Sequence, residues 1–233
     1  MSIPFDSFTL AASTADLGEE PAARGTADCV EFRMDLAEGP LDALEAYDGE
    51  LPLLVTNRAA WEGGEAAEEG RLDALADTLD HDAVGAIDVE LAAIEDGAPG
   101  DADRAEALIC RARDADAAVV VSTHDFETTP SESVLSDRLR RASEYGDVGK
   151  IAVTAHDRRD ALSVLSVTHE LTHAGVPVAT MAMGASGSHT RAVAPVYGSK
   201  IGYAPIDPDR ATAPGQYDLG TLRRLVDRLS ERA

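Results

Sequence analysis

The sequence predicts an α/β protein built as a single (β/α)8 TIM barrel over residues 1–233, and three observations predict it. Short β-rich runs recur eight times, amphipathic segments of helical period separate most of them, and no linker or shift of composition divides the chain. Near-continuous apolar runs alternating with helices are what a parallel sheet covered on both faces requires. Eight βα units in about 230 residues lie within the range of such barrels. A doubly wound open sheet shares the alternation, but no G-x-G-x-x-G follows the first strand, which weakens its dinucleotide-binding form.

In order, the strands read as FTLAAS (8–13), CVEFRMD (29–35), LPLLVTNR (51–58), GAIDVEL (85–91), AAVVVSTHDF (117–126), GKIAVTA (149–155), VPVATMAMG (176–184) and APVYGSKIGYA (194–204). Helical periodicity is clear in EEGRLDALADTLDH, ADRAEALICRARDA, SVLSDRLRRASEYG, RDALSVLSVTHELTHAG and the closing DLGTLRRLVDRLSER. A barrel places its reactive groups at the C-terminal strand ends. Those ends carry Ser13; Glu31, Arg33 and Asp35; Arg58 and Glu62; Asp88 and Glu90; His124 and Asp125; Met183; and Ser199. Lys150 departs from the pattern because it opens its strand, so it is expected to point into the barrel at its middle or floor.

The formal net charge is −23, spread along the chain rather than gathered in a tail. Eighteen of the twenty basic residues are arginine, and the only lysines are Lys150 and Lys200. A dispersed carboxylate surface with almost no lysine is the composition of proteins kept soluble in a very salty cytoplasm, where salt screens self-repulsion. It leaves no basic patch for nucleic acid or an anionic membrane surface. Cys29 and Cys110 make no disulfide framework and read as small buried thiols in a reducing compartment. The N-terminus lacks a basic n-region and an apolar h-region, and no run approaches a membrane span, so a cytoplasmic location is expected.

One motif invites a zinc hydrolase: His169-Glu170-Leu171-Thr172-His173 is an H-E-x-x-H. It ends a helix that leads directly into a strand, which in a barrel is the face away from the site, and no third ligand follows. Neither metal nor cofactor is therefore expected. His124 and Lys150 make a stronger pair, because adjacent strands would turn both toward one interior. A desolvated lysine can lose its proton, attack a ketone and form an imine. The protonated imine acidifies the neighbouring C–H, and a histidine within reach is a suited base near neutral pH.

The set EFRMD, TNRAAWEGG, IDVEL, STHDF, GKIAVTA, MAMGASGSHTR and ATAPGQ, in this order along nearly the whole chain, resembles type I 3-dehydroquinate dehydratase of the shikimate pathway. The resemblance implies that Lys150 forms a Schiff base with 3-dehydroquinate and that His124 is general base and then general acid in a syn elimination of water. It implies that Glu62 supports the histidine, with Glu90 a rival for that role. It also implies a substrate-binding set of Ser13, Glu31, Arg33, Arg58, Arg191, Thr212 and Gln216, with Arg191 clamping the carboxylate. Thr212 stands where the family usually has serine before APGQ, and Thr190 where it has serine before the arginine. The family is often dimeric, so the resemblance admits a homodimer.

A class I aldolase on the same fold would share the imine and would want a phosphate-binding loop after strands seven and eight. An inactive barrel would have lost His124 or Lys150, and both are present.

Overall fold

The strand VGAIDVE (Val84–Glu90, β4) shows how one run of residues serves two faces. All seven residues are buried. Ile87 and Val89 join the apolar layer beneath the helices, whereas Ala86 joins the cluster inside the sheet, as a period of two requires. In the computed structural model, which describes residues 2–95, 102–207, 209 and 215–231, seven further strands repeat this scheme. They are β1 (Thr9–Thr14), β2 (Cys29–Arg33), β3 (Leu53–Thr56), β5 (Ala118–Asp125), β6 (Val148–Thr154), β7 (Val178–Met183) and β8 (Ile201–Pro205).

The strands form one parallel eight-stranded sheet in the order β7-β6-β5-β4-β3-β2-β1-β8, a nearly closed barrel. Between β7 and β8 the closure is made just ahead of β8: Lys200 N–H donates to the Val178 carbonyl at 2.8 Å, and Thr180 N–H donates to Ser199 Oγ at 3.0 Å. Helices Ala102–Asp114, Glu132–Tyr145, Arg158–His173 and Leu219–Ser230 pack outside. Arg158–His173 starts from a capping box in which Asp157 accepts from Arg159 and Asp160 N–H, and Asp160 accepts from Asp157 N–H.

The barrel interior has an apolar floor of Ala11, Cys29, Leu54, Ala86, Val120, Val148 and Ile201, sealed from below by Ile3 and Phe5 of the N-terminal segment. Phe5 takes φ 47, a conformation that a bulky side chain adopts only when packing holds it there. Lys200 Nζ donates to the Asp6 carbonyl at 2.7 Å and ties this segment to the approach of β8.

The structure departs from the sequence expectation at three places. The run 194–200 is not strand: Ala194–Tyr197 is a 3-10 turn closed by Gly198 at φ 100, so β8 begins only at Ile201 and Lys200 precedes it. Ser199 consequently lies at the closing seam and not at a strand end near the mouth. Cys29 is buried, but Cys110 is exposed on the outer helix.

Candidate active site

Two residues above the floor, the inward positions change character. Ala86 gives way to Asp88, Val120 to Ser122, Val148 to Lys150 and Cys29 to Glu31, and all four polar residues are buried. Lys150 is the third residue of β6 and pairs in register with Ser122 of β5, with His124 one inward step higher and opposite Ala152. Its Nζ bonds Asp88 Oδ2 at 2.9 Å and lies 4.3 Å from the centroid of the Tyr203 ring. The lysine is as buried as expected, but burial is not its only influence, because a carboxylate and an aromatic face hold its nitrogen.

Asp88 anchors this layer. Its Oδ1 accepts from Ser122 Oγ at 2.6 Å and pairs with Arg58 at 2.8 Å, and Arg58 also donates to Ser122 Oγ at 2.7 Å. Burial would raise the Asp88 carboxyl, but Arg58, Lys150 and the Ser122 hydrogen bond together hold it below the usual carboxylate range. Burial likewise works against the Arg58 charge, and Asp88, Glu90 and Glu62 more than restore it.

The loop TNRAAWEGG brings Glu62 back over the barrel mouth. Ala60–Glu62 is one 3-10 turn closed by Gly63 at φ 79, and the Phe126 ring lies where a Gly63 side chain would begin. Gly64 packs on the Arg58 carbonyl with no room for a Cβ. Glu62 Oε1 therefore reaches β5, accepting from the His124 N–H at 2.7 Å and lying 3.2 Å from His124 Nδ1. Glu90, the rival carboxylate, does not contact His124. It binds Arg71 at 2.7 Å, Arg58 at 3.2 Å and the Ala59 N–H at 3.0 Å. Burial pushes Glu62 up to about 7, opposed by Arg58 and helped by Glu90. Burial, with Arg58 and Lys150, pulls His124 well below its ordinary value. The shift of His124 favours a neutral imidazole near neutral pH, which is the form a base requires.

His124, Lys150, Glu62, Glu31, Arg33, Arg58, Arg191 and Gln216 border one cavity together with Tyr203, Met181, Met183 and Phe126. Ser13 lies behind it and donates to Glu31 Oε2 at 2.5 Å, with Thr56 donating to the other oxygen at 3.2 Å. Arg33 borders the cavity beside Glu31, yet its fork is engaged by Asp35 at 2.8 and 2.7 Å. Arg191 is buried and its NH1 approaches Met181 Sδ at 3.6 Å; burial pulls its guanidinium down to about 10 against the opposing influence of Tyr217. Thr190 has a structural task, accepting from Ala182 N–H at 2.9 Å and donating to the Gly187 carbonyl at 2.7 Å. Thr212 lies outside the described residues.

Spacing alone missed Asp88 as the partner of Lys150, Ser122 beneath His124, and Tyr203 under the amine. The available signal was the interruption of apolar strands by charge at a period of two, in AIDVE and VGKIAV. His169, Glu170 and His173 sit on the outer helix, where the two histidine rings lie 6.3 Å apart and His169 meets Tyr197 edge-on. Among the described residues no three His, Cys, Asp or Glu side chains are grouped to hold an ion, and no helix is long and apolar enough to cross a membrane.

Residues 9–232 match the family described as Type I 3-dehydroquinase. The chain is 61% identical to the 3-dehydroquinate dehydratase of Haloarcula marismortui, over 98% of this chain and 99% of that one, and 56% identical to that of Halobacterium salinarum, over 95% and 97%. Among solved structures it resembles the 3-dehydroquinate dehydratase of Geobacillus kaustophilus, with TM-score 0.84, 26% identity and coverage of 98% and 93%. It also resembles the type I enzyme of Clostridium difficile, solved with covalently modified comenic acid, with TM-score 0.85, 25% identity and coverage of 97% and 94%. With residues 9–232 matched to the family and 61% identity to a relative over nearly the whole chain, one conclusion is left: the chain belongs to the type I 3-dehydroquinase family.

Proposed function

We propose that this barrel dehydrates 3-dehydroquinate to 3-dehydroshikimate through an imine on Lys150. The observation that carries the reading is the cavity shared by Lys150 and His124, one inward step apart on neighbouring strands. The Lys150 amine adds to the substrate ketone and water leaves, giving an iminium. The iminium nitrogen is positively charged beside Asp88, so the carboxylate faces a cation once the bond has formed. His124, oriented by Glu62, removes the C2 proton and an enamine forms. The C1 hydroxyl departs as water with the proton returned by His124, a syn elimination. Hydrolysis of the product iminium releases 3-dehydroshikimate and the free amine.

Arg191 supplies a fork for the substrate carboxylate, while Glu31, Arg33, Arg58, Gln216 and, by resemblance, Ser13 and Thr212 meet its other oxygens. The steps draw on side chains alone. The reading places the enzyme in the cytoplasm with a small-molecule partner and no nucleic acid, and light scattering would test the homodimer.

Borohydride added with 3-dehydroquinate is expected to fix ligand mass onto a peptide containing Lys150. Labelling at Lys200, or dehydration without labelling, overturns the mechanism. His124→Ala is expected to lower turnover by roughly 10²–10⁴-fold while borohydride still traps an imine.

A further inference from the structure

Behind the cavity runs a ladder of buried charges that the mechanism above does not use in full. From Lys150 it passes through Asp88, Arg58 and Glu90 to Arg71, alternating in sign at every step, with contacts of 2.9, 2.8, 3.2 and 2.7 Å. Its last two members are among the most buried charges in the molecule: Glu90 is 0% exposed and Arg71 2%. Neither borders the cavity, so neither can touch substrate. Both nevertheless grip the loop that carries the histidine's partner. Glu90 accepts from the Ala59 N–H, Arg71 donates to the Asn57 carbonyl at 3.1 Å, and Asn57 Nδ2 returns a bond to the Arg71 carbonyl at 3.0 Å. The Arg71 guanidinium also lies 5.9 Å from the Trp61 ring, next in sequence to Glu62.

A structural clamp could have been made with neutral groups at less desolvation cost. We propose that Glu90 and Arg71 are positioning residues that act on the Glu62–His124 pair from outside the cavity, through Arg58 and the loop 57–64, with Arg71 confining the negative charge of Glu90. The groups facing the pair are Arg58 and the His124 N–H, which favour ionised Glu62, and Glu90 and Asp88, which oppose it; Lys150 and Arg33 also face His124. Glu90 is the one member of this set whose charge is held in check by a residue remote from the substrate.

The proposal rests on the reading of Glu62 and His124 given above, and its signature is a pair of opposite shifts. Glu90→Gln removes a negative neighbour and leaves both arginines in place, so Glu62 ionises more readily. The acid limb of kcat/KM is expected to move to lower pH by on the order of half a unit. Arg71→Gln releases the Glu90 charge toward Glu62 and is expected to move the limb to higher pH. Glu90→Asp, which keeps the charge, should leave it near its original place. Thermal melting establishes that each variant is folded, and a folded Arg71→Gln decides the matter alone if Glu90→Gln does not fold. Losses of activity that are uniform across pH, or limbs that shift in the same direction, overturn the proposal. If the reading of the pair were wrong instead, the acid limb would stand unchanged in Glu62→Gln itself.

Discussion

The two halves of the barrel interior are built from the same strands and behave as opposites. Below lie Ala11, Cys29, Leu54, Ala86, Val120, Val148 and Ile201, closed by Ile3 and Phe5. One inward step higher the same strands present Ser13, Glu31, Asp88, Ser122, Lys150 and Tyr203. The floor keeps water from reaching the polar layer from beneath, and a dry floor strengthens every charge contact above it. The polar layer, in turn, can exist only because its members satisfy one another, as the Asp88–Arg58–Ser122 triangle does. The apolar floor and the candidate site are thus separated by a single β-period.

The sharpest way to break the comparison is to change one layer and read both properties. Lys150→Met removes the proposed nucleophile while Arg58 still pairs Asp88. Turnover is expected to fall by at least ~10⁴-fold with the fold retained, as kinetics and circular dichroism would show. Substitution in the floor should do the reverse. Leu54→Ala is expected to cost about 2–5 kcal/mol in denaturant unfolding, with kcat little changed in the folded fraction. A floor variant that lost kcat without losing stability would erase the distinction.

The smallest expected effect belongs to pH. Burial raises Glu62 to about 7 and lowers His124 well below its usual value. The proposed mechanism requires Glu62 ionised and His124 neutral. As pH falls through about 7, Glu62 gains a proton and kcat/KM should decline, with the active form fully present above that range. Glu62→Gln should remove most of that decline along with part of the rate. An acid limb unchanged in Glu62→Gln would place the titrating group elsewhere.

The barrel was legible because parallel strands buried on both faces write themselves as apolar runs, and because polar residues at their ends have no packing reason to be there. Strand eight was the exception. APVYGSK is apolar and β-prone, but Gly198 at φ 100 ends a 3-10 turn and the strand starts after it. Local composition cannot distinguish those outcomes, since the need for a glycine there comes partly from a distant neighbour: a Cβ at Gly198 would run into the Thr172 side chain. Cys110 failed for a different reason: the buried stripe of its helix is Ala105, Leu108, Ile109 and Ala112, and Cys110 lies one position off it, so its burial was read from residue type and not from the period. In the candidate site, His124, Lys150 and Glu62 could be matched singly, whereas which of Glu62 and Glu90 contacts His124 required the path of the loop. Glu90 is the nearer in sequence to a strand end, but Arg71 and Arg58 already engage it.

The contact between Lys200 and Asp6 has a use beyond the fold. Lys200 stands at the floor end of the barrel, and the chain's other lysine is hidden inside at 4% exposure. Of the two side-chain amines only Lys200 lies outside the cavity, so a lysine-directed label would mark the floor end of the barrel and leave the mouth unmodified.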